Sequence, residues 1–199
     1  MARKKRNASK AGAGSPRLRI VAGEFGGRRL RSPPLDGADV RPTAERTREA
    51  IFSMLGPGGA EVASVLDLFC GSGALGLEAL SRGAERATLV DRRIETAAAN
   101  VTELGLEDRV ELVDAKLPDA IEPGGTLAGA SYELILCDPP YRLAPLVGPA
   151  LDKPLADLLA PGGLLIVESA AAEPMRLSLP LSRERTYGAA HVAIYEPTS

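Results

Sequence analysis

Four consecutive residues, Asp138-Pro139-Pro140-Tyr141, close an apolar run, Glu133-Leu134-Ile135-Leu136-Cys137, and combine a carboxylate, two rigid imides and an aromatic ring. Neither strand nor helix continues through the prolines, so they fix a turn from which Asp138 and Tyr141 project. The Asp138 carboxylate and the Pro139 carbonyl can each accept one N–H of a planar exocyclic amine, while Tyr141 offers a face on which a base can stack. Such an amine is a poor nucleophile because its lone pair is delocalised into the ring. Acceptors aimed at its hydrogens favour the pyramidal nitrogen of the transition state, and no strong general base is needed.

A second constellation precedes this one. Val65-Leu66-Asp67-Leu68-Phe69 reads as an apolar strand, and Cys70-Gly71-Ser72-Gly73-Ala74-Leu75-Gly76 turns sharply into a helix, which lets backbone approach a ligand closely. That pattern alone also suits a dinucleotide. Asp67, four residues before the first glycine, favours a different ligand. A carboxylate there repels a pyrophosphate, whereas S-adenosylmethionine (SAM) presents a cationic amino group. Asp91 ends the next strand, 18 residues beyond Gly73, where a carboxylate can accept from two ribose hydroxyls. Asp114, followed by Ala115, ends the strand after that and suits an adenine amino group. Phe69, Ser72 and Arg92 complete the expected cofactor-binding set. A methyl on a sulfonium and acceptors around an amine together describe amino-group methyl transfer.

These residues require strand tips gathered at one edge of a sheet. From residue 64 onward strands and helices alternate: strands at 65–69, 87–91, 109–114, 133–138 and 164–168, helices at 74–82, 94–104 and 146–159, and a less regular turn near 117–121. That rhythm predicts an α/β fold with a parallel sheet covered on both faces. The last stretch changes style, with 183–187 and 192–196 forming an antiparallel pair. Ahead of the alternation, 18–23 and 27–31 predict a hairpin rich in arginine. A helix follows, with Thr43 as N-cap, Glu45 in its first turn and Ile51, Met54 and Leu55 on its apolar stripe. Residues 1–16 are small, polar and cationic, a composition expected to stay disordered. The expected organisation is therefore a tail at 1–16, a basic hairpin and helix at 17–60, and a catalytic domain at 61–199.

Charge is distributed unevenly. Residues 1–60 carry 13 Lys and Arg against 5 acids, while the remainder carries 11 against 21, although the whole chain of 199 residues has a formal net charge of −2. A basic front on an acidic body suggests a polyanionic partner, and the arginines fall in the hairpin and the Arg41-Pro42-Thr43 segment. Arg19, Arg28, Arg29, Arg41, Thr43 and Arg46 are the expected RNA contacts. Two cysteines are too few for a disulfide framework, no Cys/His spacing suggests a metal, and no apolar run reaches membrane-spanning length. A cytoplasmic monomer is expected. Cys137 lies inside a strand and reads as a small buried hydrophobe rather than a nucleophile. His191, with no nearby acid or cysteine, reads as a solvated or packing residue rather than a catalytic one.

Several segments resemble the RsmD-type guanine-N2 methyltransferases of bacterial small-subunit ribosomal RNA. They are Arg19 to Gly23, the Gly-Arg-Arg-Leu of 27–30, Arg41-Pro42-Thr43 with Arg46 and Arg48-Glu49, Leu68 to Gly76, Gly76 to Ala84, Asp138 to Tyr141, and Tyr187-Gly188. The resemblance runs from about Leu18 to Tyr195. It implies a Rossmann-like class I methyltransferase, with a seven-stranded, mostly parallel sheet. It also implies SAM as donor, guanine N2 as acceptor, Asp138 and Tyr141 handling the base, and Arg41 to Thr43 near the site's mouth. Cys70 and Ala189-Ala190-His191 depart from the family pattern. Two other readings stand beside this one: an adenine-N6 methyltransferase, and a non-catalytic nucleotide- or RNA-binding protein on the same fold.

Overall fold

The computed structural model describes residues 18–33 and 45–197. The expected tail, Arg41 and Thr43 lie outside the described residues. The chain order is α1 (Glu45–Leu55), β1 (Ser64–Leu68), α2 (Ala74–Ser81), β2 (Arg86–Asp91), α3 (Glu95–Leu104), β3 (Val110–Asp114), β4 (Tyr132–Cys137), α4 (Ala144–Leu158), β5 (Leu159–Ala170), β6 (Leu181–Tyr187) and β7 (Ala190–Tyr195).

The seven strands form one sheet in the order β3-β2-β1-β4-β5-β7-β6. Strands β1 to β5 are parallel to their neighbours, and β7 runs antiparallel between β5 and β6. The strand order reverses direction between β1 and β4, and in open α/β sheets that reversal opens a crevice at the strands' carboxyl ends. Both constellations read from the sequence sit there.

Alternation along each strand sorts side chains onto two apolar layers. Val65, Leu89, Leu136 and Ile166 pack on the α1–α2–α3 side. Leu66, Leu68, Cys137 and Val167 pack with Leu151, Leu155 and Leu158 of α4 on the other. Asp67, between Leu66 and Leu68, therefore enters the α2 side at a core position.

The N-terminal elements belong to the same core: Leu18, Ile20 and Leu30 from the hairpin and Ile51, Phe52 and Met54 from α1 pack with Leu77 and Leu80 of α2. Polar groups reinforce this docking. Glu78, fully buried on α2, accepts the backbone N–H groups of Val21 (2.6 Å) and Ala22 (3.0 Å) and Nε of Arg82 (2.8 Å). Arg183 of β6 donates to the Met54 carbonyl at the C-terminal end of α1, satisfying an oxygen the helix leaves open.

Three details differ from expectation. The hairpin forms a single bridge, Arg19 with Arg29, rather than a ladder of two strands, and backbone bonds such as Leu30 N–H to Leu18 C=O (2.9 Å) hold it. Helix α4 starts at Ala144, two residues before the expected position. Strand β5 begins at Leu159, five residues early, because a bulge absorbs the glycine pair: Tyr132 pairs with Leu159, then Leu134 with Leu164.

Candidate active site

The glycine loop leaves β1 through a strained backbone. Phe69 (φ 60°), Gly71 (φ 53°) and Gly73 (φ 76°) all take the left-handed conformation, which costs a non-glycine residue such as Phe69 roughly 1–2 kcal/mol. The Gly71 N–H donates to Oδ2 of Asp91 at 3.0 Å, tying the loop to the tip of β2, and Oδ1 of Asp91 accepts from the Arg93 N–H at 3.0 Å. Among the described residues a Cβ on Gly71 would meet nothing closer than Pro33 at 3.9 Å, so none of them crowds this part of the loop. Ser72 is buried, and its carbonyl accepts from Asn100 Nδ2 at 2.9 Å.

Asp67 lies beneath the loop. Its Oδ2 accepts the Gly76 N–H at 2.8 Å, while Oδ1 is buried without a partner among the described residues. Burial pushes its carboxyl up to about 8, against the Gly76 bond, and the charges of Asp138 and Asp91 push the same way. An orphaned acidic oxygen beside a left-handed glycine loop suits a ligand with a cationic group, so the donor set fits SAM. Asp114 pairs in register with Asp91 and is exposed, the Ala115 N–H donates to the Asp91 carbonyl at 3.1 Å, and Arg92 is exposed.

Across the reversal, the β4 tip carries the residues expected to handle the amine. The Asp138 N–H reaches the Leu68 carbonyl at 3.4 Å, so the start of the Asp-Pro-Pro-Tyr turn lies against the end of β1. Pro139 is buried, Pro140 exposed, and Tyr141 is 38% exposed, with its hydroxyl donating to Oε1 of Glu168 at 3.2 Å. Glu168, two residues before the end of β5, was not singled out from the sequence. The only signal was a lone carboxylate closing Leu164-Leu165-Ile166-Val167, the same pattern that marks Asp91.

The expected RNA contacts occupy varied settings. Arg19 meets Glu45 through Nε (3.1 Å) and Nη2 (2.6 Å), Arg28 donates to the Glu103 carbonyl at 3.0 Å, and Arg29 and Arg46 are exposed. Arg48 differs from all of these: it is fully buried on α1 and donates to the Arg19 carbonyl at 2.6 Å.

Both cysteines are buried, and burial raises the Cys70 and Cys137 thiols, which matches the reading of Cys137 as a packing residue. His191 needs a correction. It is buried, but an acid does lie near it, since Nε2 sits 3.0 Å from Oε2 of Glu184 on the adjacent strand β6. Glu184 stands only seven residues before His191, and the β6–β7 hairpin folds it back beside the ring.

A parallel sheet reversing at β1 and β4, an antiparallel β7 inserted before β6, and a glycine loop at the reversal define the class I methyltransferase fold. The family described as "Conserved hypothetical protein 95" matches residues 18–196, and the chain belongs to it. A "Putative rRNA methyltransferase YlbH" of Bacillus subtilis is 32% identical over 192 residues, 90% of this chain and 98% of that protein. The "Ribosomal RNA small subunit methyltransferase D" of Escherichia coli is 36% identical over 132 residues, 65% of this chain and 63% of that one. Among solved structures, a "Putative methyltransferase yhhF from Escherichia coli" superposes with a TM-score of 0.75 at 31% identity, covering 92% of this chain and 99% of that chain. The family drawn from the sequence motifs is therefore the right one.

Proposed function

We propose that this protein transfers a methyl group from SAM to the exocyclic N2 amine of a guanine in small-subunit ribosomal RNA. The observation that carries the reading is the meeting of two strand tips: the glycine loop after β1 and the Asp138-Tyr141 turn after β4 are joined by the Asp138 N–H to Leu68 carbonyl contact. The names of the Bacillus and Escherichia relatives support ribosomal RNA as the substrate class.

Bound SAM supplies a methyl group on a cationic sulfonium, an electrophile that needs no activation. Gly71, Gly73, Asp67, Asp91 and Asp114 are the residues to hold it, with Asp67 taking the ammonium on Oδ1, and Phe69, Ser72, Arg92 and Ala115 flank it. Asp138 accepts one N–H of the acceptor amine and the Pro139 carbonyl the other, while Tyr141 stacks on the base and keeps the nitrogen in line. Asp138 also faces the positive charge that grows on nitrogen as it is alkylated. Arg19, Arg28, Arg29, Arg41, Thr43 and Arg46 hold the RNA backbone through charge.

The test is methyl transfer from labelled SAM to naked RNA and to small subunits from a strain lacking the gene, with the product nucleoside identified. The expected product is N2-methylguanine, with Asp138→Ala lowering the rate at least about 100-fold. N6-methyladenine would instead establish the adenine reading, which the same Asp-Pro-Pro-Tyr turn can serve.

A further inference from the structure

We propose that Glu168 is a positioning residue of this site: it fixes the Tyr141 ring by accepting its hydroxyl hydrogen and stands beside Asp138 as the second carboxyl of the acceptor pocket. The inference rests on the reading of Asp138 and Tyr141 as the residues that hold the base.

Strands β4 and β5 are adjacent and parallel, and Cys137 pairs with Val167, so Asp138, just past the end of β4, lies level with Glu168, two residues before the end of β5. Because Cys137 and Val167 both belong to the α4 layer, alternation sends Asp138 and Glu168 to the opposite face, the one α1 covers. Tyr141 comes back to this face: its hydroxyl reaches Glu168 Oε1 at 3.2 Å although the ring itself is 38% exposed. A ring on a turn has two torsions to settle, and this bond restrains them.

Glu168 is only 5% exposed, and its Oε2 is buried without a partner among the described residues. A carboxyl in that position is poorly solvated and gains little from its surroundings unless it serves the site. The charged and titratable groups around it are Asp138 from the β4 tip, Tyr141 from the turn and Arg48 from α1; β7 presents Val192, which does not titrate. Burial and then Asp138 raise the Glu168 carboxyl to about 9, while Tyr141 and Arg48 act the other way. Burial and the nearby Asp138 charge thus favour the protonated form of Glu168, which spares the pocket a second negative charge. Ionisation of Glu168 sets two like charges side by side.

The experiment measures kcat and KM for RNA from about pH 6.5 to about pH 10 in wild type, Glu168→Gln, Glu168→Ala, Tyr141→Phe and the Glu168→Ala/Tyr141→Phe pair, with SAM affinity and melting as controls. Glu168→Gln keeps an acceptor oxygen and cannot ionise. Wild type should lose rate as pH rises through about 9, whereas Glu168→Gln should hold the neutral-pH rate within about threefold and show no such fall. Glu168→Ala should lower kcat about 10- to 100-fold with SAM affinity unchanged, and adding Tyr141→Phe should then cost little more. An alkaline fall that persists in Glu168→Gln, or additive losses in the double variant, overturns the proposal, and the first of these holds even if Glu168→Ala does not fold. One readout is independent of RNA. The carboxyl carbon resonance that disappears in Glu168→Gln should titrate near pH 9 and shift in Tyr141→Phe. A resonance titrating in the ordinary carboxylate range, or unmoved by Tyr141→Phe, overturns the placement whether or not RNA is methylated; failure of wild type to methylate RNA counts against the proposed function alone.

Discussion

Asn100 of α3 donates through Nδ2 to the Ser72 carbonyl at 2.9 Å, and with the same amide group it holds the far end of the hairpin, donating to the Arg31 carbonyl (3.1 Å) and accepting the Arg31 N–H on Oδ1 (2.7 Å). One fully buried amide thus joins the glycine loop to the arginine-rich N-terminal segment. Asn100→Ala leaves the buried Ser72 carbonyl and the part-buried N–H and C=O of Arg31 without this partner, expected to cost about 2 kcal/mol, and a fall of roughly 4–8 °C in melting temperature follows for a chain of this size. Asn100→Asp keeps the acceptor for the Arg31 N–H but sets a carboxylate against two carbonyls, so SAM affinity should fall along with stability. Melting curves and calorimetry check both; an Asn100→Ala protein that melts with wild type would show that the bridge contributes nothing.

Two glycines of the loop should fail in different ways. A Cβ at Gly76 would lie 2.4 Å from Leu89 Cδ2 and 3.2 Å from Asp67 Cβ and Oδ2, all in the packed layer between α2 and the sheet. Gly76→Ala should therefore destabilise the fold by about 1–3 kcal/mol through overpacking. Gly71→Ala meets no such obstacle among the described residues, the nearest being 3.9 Å away, but it carries the φ of 53°. Its stability loss should stay near 1–2 kcal/mol, while SAM affinity drops at least about 10-fold because the added methyl occupies the open face of the loop. Equal losses of SAM affinity and of stability in the two variants would refute this division of labour.

Much of the architecture was legible because strand and helix periods, glycine stops and strand-end carboxylates are local signals. The sheet, the β4 turn and the loop carboxylates were all read from short windows. What escaped depends on partners far along the chain. Asn100 meets Ser72 and Arg31 at separations of 28 and 69 residues, Glu78 meets Val21 at 57, and Glu168 meets Tyr141 at 27. A polar residue on a helix or at a strand end reads as solvent-facing until the fold brings its partner. The β5 extension escaped for another reason: Pro161-Gly162-Gly163 signals a loop, and only the pairing with β4 turns it into bulged strand.

The arginines of the basic front should not contribute equally to RNA binding. Each phosphate contact adds about 0.7–0.9 to the slope of log affinity against log salt. Arg29 and Arg46 are exposed, whereas Arg19 is held by the Glu45 carboxylate at 2.6 Å. Arg29→Gln and Arg46→Gln should each flatten the salt dependence by about one. Arg19→Gln should change it less, because Glu45 already neutralises that charge. Binding isotherms at several salt concentrations decide the matter, and affinity that ignores salt in wild type would remove the electrostatic account of the basic front altogether.

Asp67 should make the protein's stability and its affinity for SAM respond oppositely to pH. Unfolded, its carboxyl ionises near pH 4; folded, burial raises it to about 8. Between these values the native state binds more protons than the unfolded one, so this group's contribution to stability falls as pH rises from about 4 to about 8. Asp67→Asn keeps an oxygen for the Gly76 N–H and removes the titration. The cofactor-free variant should therefore gain on wild type as pH rises from about 5 to about 8, with the largest margin at the upper end. If Oδ1 takes the ammonium of SAM, Asp67 must ionise on binding, and a proton leaves the wild-type protein near neutral pH. Calorimetry in buffers of different ionisation enthalpy reads that proton directly, and it should vanish in Asp67→Asn. A wild-type protein that gains stability over Asp67→Asn as pH rises, or that binds SAM without releasing a proton, would mean that Asp67 is ionised before the cofactor arrives and that its second oxygen is held by something other than SAM.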